Sequence, residues 1–214
     1  MTAIWKELVK GGITMIPLAI FSVIGVAVFL EKLITLRRKA VLTPELVQLI
    51  ENLHSEEECQ ELLRLCEKKP GPLARIVALT VASRHLPKEE IEDLIEEQGR
   101  QEGRLLERGL VVLETVAAVS PLLGLLGTVF GIIKVFNVIS VQGVGQAASF
   151  SAGISEALIT TAFGLSIGIP ALVAYNAFSS RAEGLILDME KYSVLLLRRL
   201  KALEKGETSG ALPE

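Results

Sequence analysis

From Leu110 to Val138 the chain is almost continuously apolar, with Glu114 and Lys134 its only charges. At about 1.5 Å per residue this stretch exceeds the roughly 30 Å of bilayer hydrocarbon, so it is a membrane span rather than a core helix. At 100° per residue, Ala117, Ser120, Gly124, Gly127, Thr128 and Gly131 share one face, while Leu, Val, Phe and Ile take the others. Such a seam lets helices approach closely in lipid, and its hydroxyls need a protein partner or water. The expectation is that this seam lines a path through the membrane.

Two further spans follow from the same pattern. Residues 13–36 form a first span, with Pro17 near its entry and Lys32, Arg37, Arg38 and Lys39 behind it. No small-residue cleavage site follows, which marks a retained helix. Residues 110–138 are the second, 139–155 an uncharged turn containing Gly143, Gly145 and Gly153, and 156–178 the third. The fold class expected is all-α: three transmembrane helices, with long helices extending into a cytosolic helical domain. With half of its residues apolar, only 5% aromatic and a mean hydropathy of +0.47, the chain reads as an integral membrane protein before any motif is considered.

Charge sets the expected topology. Thirteen of the 22 Lys and Arg residues fall between Glu31 and Gly109, whereas 139–155 has none, which puts 37–109 in the cytosol and the turn outside. Residues 1–12, with Trp5 as an interfacial anchor, are then a periplasmic lead. Residues 179–205 form a cytosolic helix with Leu185, Met189, Tyr192, Leu196 and Arg199 at helical spacing, and 206–214 a disordered tail. Within 37–109, Thr43-Pro44-Glu45 starts a helix with a capping hydroxyl, and Pro70-Gly71-Pro72 ends the next one. A short helix covers Leu73 to Ser83, and the helix opening at Pro87 runs unbroken into the second span. Cys59, Cys66 and His54 match no metal-ligand spacing, and the cysteines read as ordinary thiols in a reducing compartment.

The third span carries a seam of its own: Ala157, Thr160, Thr161, Gly164, Gly168, Ala171 and Tyr175 lie within about 100° of one another. Counted inward, Thr128 is roughly 15 Å deep and Thr161 roughly 10 Å, near one level. Either threonine could simply bond the carbonyl one turn back and permit close packing. Two hydroxyls on small seams at one depth favour a hydrated path. Pro170 frees the carbonyl of Ser166, which then needs water or a side chain, or it merely kinks the helix. Glu114, at the inner mouth, is a site for cations or protons or a carboxylate in cytosolic water. Glu156 opens the third span, with Lys134 within reach across the turn.

No Asp, Glu, His, Lys or Arg lies in the central part of any span. Hydroxyls order water but do not hold and release protons at neutral pH, so a proton path here requires a carboxylate from another chain. Phosphate loops, nucleophile elbows and metal motifs do not occur, and neither an enzyme nor a nucleic-acid partner is expected.

These residues resemble the MotA/TolQ/ExbB proton-channel family, and within it the three-span ExbB and TolQ branch. The resemblance rests on Gly124-Leu-Leu-Gly127-Thr128-Val-Phe-Gly131 and on Gly153-Ile-Ser-Glu156-Ala157-Leu158-Ile-Thr-Thr161-Ala162-Phe-Gly164-Leu165, continued by Ile169-Pro170-Ala171 and Tyr175-Asn176. It implies a homopentamer in the bacterial inner membrane around a pore lined by the second and third spans. Inside would sit ExbD/TolR-type single-span partners whose membrane aspartates carry protons as the coupling ion, with no other cofactor and with a TonB/TolA-like protein beyond. Thr128 and Thr161 take the places of the pore threonines, Glu156 that of the acid opening the third span, and Pro121 that of the proline in the second span. Ser120, Thr160 and Glu114 join the candidate pathway. Gly124, Gly127, Gly131, Gly164, Gly168, Pro121 and Pro170 are expected to pack the pore helices. Thr160 and Lys134 depart from the family's usual pattern. The alternative is a structural membrane scaffold in which the seams only pack helices. A secondary transporter is a third, weaker fit, since three spans lack the repeats such folds use.

Overall fold

A computed structural model describes residues 12–142 and 147–204. The expected lead up to residue 11, Gly143, Gly145 and the carboxyl-terminal tail lie outside the described residues. Among the described residues there are eight helices and no strand: α1 (Met15–Thr35), α2 (Arg38–Val41), α3 (Pro44–Glu51), α4 (Glu56–Lys68), α5 (Pro72–Ala82), α6 (Lys88–Glu107), α7 (Leu110–Gln142) and α8 (Ala147–Glu204). Three of them are long and apolar enough to cross a membrane. The residues fall into two compact units, one of 12–32, 109–142 and 147–178, the other of 33–108 and 179–204.

Three local expectations need correction. The helix opening at Lys88 does not run on into the second span: it ends at Glu107, and α7 starts afresh at Leu110. Gly109 is the breaker, at φ +90°, a conformation that side chains with a Cβ avoid. Thr43 precedes α3, but its hydroxyl caps nothing. Its φ of +23° departs from the extended cap conformation, and its carbonyl instead accepts from the Leu46 and Val47 amides. The uncharged turn is shorter than 139–155, because α7 continues to Gln142 and α8 begins at Ala147.

The second unit is a helical bundle with an ordinary core. Ser55 opens α4 with a full capping box, its hydroxyl accepting from the Glu58 amide while the Glu58 carboxylate accepts from the Ser55 amide. Leu46, Ile50, Leu62, Leu73, Ile76 and Ile91 are buried, together with Leu185, Met189, Tyr192 and Leu196 from the late part of α8, the stripe expected from spacing. Within this unit Arg181 Nε donates to the Leu36 carbonyl at 2.6 Å. Glu102 is a buried carboxylate, held by the Arg75 guanidinium and by Gln98 Nε2 at 2.8 Å.

Cys59 and Cys66 are free and buried on one face of α4. Burial pushes the Cys66 thiol up from its ordinary 9.0 to about 11, so it holds about a hundredfold less thiolate than an exposed thiol. The protonated form therefore favours the fold. That contribution is complete below about pH 9 and fades as the pH rises toward 11. Alkylation at pH 7.5 should be slow at Cys66 in the folded chain and fast in denaturant; equal rates would contradict the burial.

The first unit packs α1, α7 and the early part of α8. Gly25 lets α1 approach Val116, and Phe29 meets Phe178 with ring centroids 5.4 Å apart. The faces turned away from these contacts are apolar and bare: Val23 is 70% exposed, Leu122 63% and Val173 63%. A water-soluble unit does not present such a surface, whereas lipid and neighbouring membrane helices accept it. Along α7, Glu114 and Lys134 stand twenty positions apart, about 30 Å of otherwise uncharged helix and so one hydrocarbon thickness.

The closest approach in this unit is α7 on α8. A Cβ added at Gly124 would lie 3.0 Å from the Thr161 Cα, and one at Gly164 only 2.6 Å from the Ser120 carbonyl oxygen. Both obstacles are backbone, which cannot yield without the helices parting. Gly184, on the same helix but in the other unit, has nothing within 4 Å of its Cβ position. Gly164→Ala should therefore cost about 1–3 kcal/mol of stability, while Gly184→Ala should add about 0.5–1 kcal/mol. Thermal unfolding of the two variants in detergent checks this, and a Gly164→Ala chain as stable as its parent would refute the close seam.

Candidate functional site

The two seams that the sequence separates by some thirty residues close on each other. Gly127 faces the Thr160 side chain, Gly131 faces Ala157, and Gly168 lies against Pro121 and the Ala117 carbonyl. The candidate packing residues Gly124, Gly127, Gly131, Gly164 and Gly168 are all buried, and Pro121 is partly exposed beside them. The physical reason is that small residues are the ones that allow two backbones in lipid to reach van der Waals contact. Pro170 is exposed instead. With Ser22, Phe29, Val116 and Ser166 it lines a groove of about 280 Å³, which leaves room beside the turn it interrupts.

This closure changes the reading of the hydroxyls. Ser120 and Thr160 are completely buried between α7 and α8 of the same chain, so the expectation that the whole seam faces a path is corrected at these two positions. Thr160 Oγ1 donates to the Glu156 carbonyl one turn back at 2.7 Å, whereas Ser120 Oγ has no hydrogen-bond partner in the structure. Thr128 and Thr161 sit at the edge of the contact and are both partly exposed. Thr128 Oγ1 donates to the Leu125 carbonyl of its own helix, while Thr161 Oγ1 crosses the seam to the Gly124 carbonyl at 3.0 Å. A hydroxyl has one donor and two acceptor positions, so Thr161 spends its proton on α7 and retains acceptor capacity on its exposed side.

The charged candidates lie at the ends. Glu114 is exposed. Glu156 is mostly covered, with 18% of its side chain exposed, and its Oε1 meets Lys134 Nζ at 2.5 Å, which makes the pair suspected from the sequence a real one. Two contacts at this end had no signal in composition or spacing. Gly12, at φ +72°, lies directly under the Glu156 carboxylate, and Thr14 is buried against Gly127. Only their arrival at the start of α1 brings them there. Among the described residues no group of His, Cys, Asp or Glu is arranged to hold a metal.

Residues 68–191, more than half of the chain, match the model of the MotA/TolQ/ExbB proton channel family, a wider stretch than the two spans that carry the sequence motifs. The chain is 30% identical over 194 residues to the biopolymer transport protein ExbB-like 3 of Synechocystis sp., covering 88% of this chain and 92% of that one. It is 32% identical over 182 residues to the ExbB-like 1 protein of the same organism, covering 81% and 70%. A shorter stretch of 86 residues, 40% of this chain and 37% of the other, is 46% identical to the Tol-Pal system protein TolQ of Pseudomonas aeruginosa. A three-span helical chain with this seam and these relatives belongs to the MotA/TolQ/ExbB proton channel family, in its ExbB/TolQ branch.

Proposed function

We propose that the chain is the ring-forming subunit of a motor in the bacterial inner membrane that is driven by the proton-motive force. In this reading five copies surround a central pore, and an ExbD/TolR-type single-span protein inside supplies a membrane aspartate. A TonB/TolA-like protein carries the resulting work across the periplasm. The amino terminus lies outside and the second unit in the cytosol, in accord with the basic residues clustered between Glu31 and Gly109. Protons are the only coupling species invoked.

The observation that carries this proposal is the Thr161 hydroxyl. It sits at the edge of a tight, glycine-packed seam, its proton committed to Gly124 and its lone pairs available. Within the uncharged band of the three spans there is no side chain that could itself hold a proton near neutral pH. The chain's part is therefore to orient water or a protonated carboxyl from the partner, and to keep the seam behind it closed so that the route stays on one side. Protonated, the aspartate's carboxyl would donate to the Thr161 lone pairs and could pass the apolar wall; ionised, it is an acceptor only and would be held there through a water that donates to both oxygens.

The scaffold alternative draws on Thr128 and Thr160, both of which bond carbonyls of their own helices as a purely packing threonine would. The two readings separate by substitution. Thr161→Val keeps the volume and removes the hydroxyl, and proton-dependent activity should fall at least about tenfold, equivalent to about 1.4 kcal/mol, with assembly intact. Thr161→Ser should retain most of it. Ser120→Ala removes a buried hydroxyl that has no partner and should leave activity near the parent value. Full activity in Thr161→Val would remove the hydroxyl from the mechanism and favour the scaffold.

A further inference from the structure

Lys134 has no role in the mechanism above, yet its surroundings are specific. The first unit contains only five charged residues among those described: Glu31, Lys32, Glu114, Lys134 and Glu156. Glu114 lies about 30 Å from Lys134 along α7, and Glu31 and Lys32 stand at the far end of α1 from Gly12. Lys134 is thus the one described cation of this unit that reaches Glu156, and it does so at 2.5 Å while 57% of its own side chain remains exposed.

The carboxylate is confined from two other directions. The Cβ position of Gly12 lies 2.0 Å from Glu156 Oε1, so the oxygen rests on backbone where any side chain would displace it. Gly12 also holds φ +72°, which side chains with a Cβ rarely adopt. Two residues later Thr14 is buried, its Oγ1 2.8 Å from the Cβ position of Gly127 in the seam. Thr160 Oγ1 binds the Glu156 carbonyl. The start of α1, the end of α7 and the early turns of α8 therefore meet at one carboxylate.

We propose that Lys134 is a positioning residue: by pairing with Glu156 it seats that carboxylate on Gly12 at the end of the α7–α8 seam, and thereby holds the start of α1 against Gly127. An amine on a flexible stem suits the task, since its apolar part can lie along the helix while its charge reaches the more buried partner. Where the inference bears on proton movement it rests on the reading of Glu156 as part of the proton route; the seating of α1 does not depend on that reading.

The test uses Thr14→Cys as a reporter in the full chain in membranes, labelled with a water-soluble maleimide and compared with the parent chain, whose own cysteines are buried. Lys134→Met should raise labelling at position 14 several-fold and lower proton-dependent activity at least about tenfold. Lys134→Arg should bring both close to the parent values, whereas the exchange of Lys134→Glu with Glu156→Lys should restore labelling but not activity. Gly12→Ala should raise labelling without touching either charge. Unchanged labelling in Lys134→Met would overturn the inference whatever the activity. If Glu156→Gln keeps full activity while labelling responds as expected, the positioning stands and the place of Glu156 in the proton route falls.

Discussion

The structure depends on the contact between α7 and α8, where two backbones meet through glycine. In lipid the hydrophobic effect does not drive helices together, because an apolar side chain is as well solvated by acyl chains as by another helix. What remains is close packing and a few hydrogen bonds, and both need the backbones near each other. Gly124, Gly127, Gly131, Gly164 and Gly168 provide that nearness, and the Thr161 bond to the Gly124 carbonyl follows from it. Leu and Val on the remaining faces stay exposed to lipid or to neighbouring helices.

This contact also sorts the hydroxyls. A threonine in the middle of the seam, such as Thr160, is enclosed and turns back on its own helix. One at its edge, such as Thr161, is anchored by the seam and still open on the other side. In the proposed reading the working hydroxyl is thus set apart by its distance from the packing line, and the glycines that look like a channel lining are the structure that keeps it in place.

The sequence carries the three spans, the small faces, the apolar stripe late in α8 and the Lys134–Glu156 pair, because each follows from periodicity or from charge at a known rise per residue. What it does not carry is direction. A helical wheel states that Ser120, Gly124 and Thr128 share a face, but a small face serves equally well against a pore or against another helix. Only the mating of two such faces decides. Gly109 was invisible for a related reason: a single glycine between charged and apolar helical stretches gives no sign that its φ is positive. Gly12 and Thr14 gain their meaning from a contact with Glu156 and Gly127 that lies more than a hundred residues away in the chain.

In the proposed motor this chain supplies a route and no carrier, since its uncharged band presents hydroxyls and glycines and leaves the carboxylate to a second protein. The most direct measurement is proton flux into liposomes that contain the purified chain alone, under an imposed pH gradient and membrane potential, followed with an enclosed pH-sensitive dye. Flux no greater than in protein-free liposomes is expected. Sustained, gradient-driven flux through the chain by itself would contradict it.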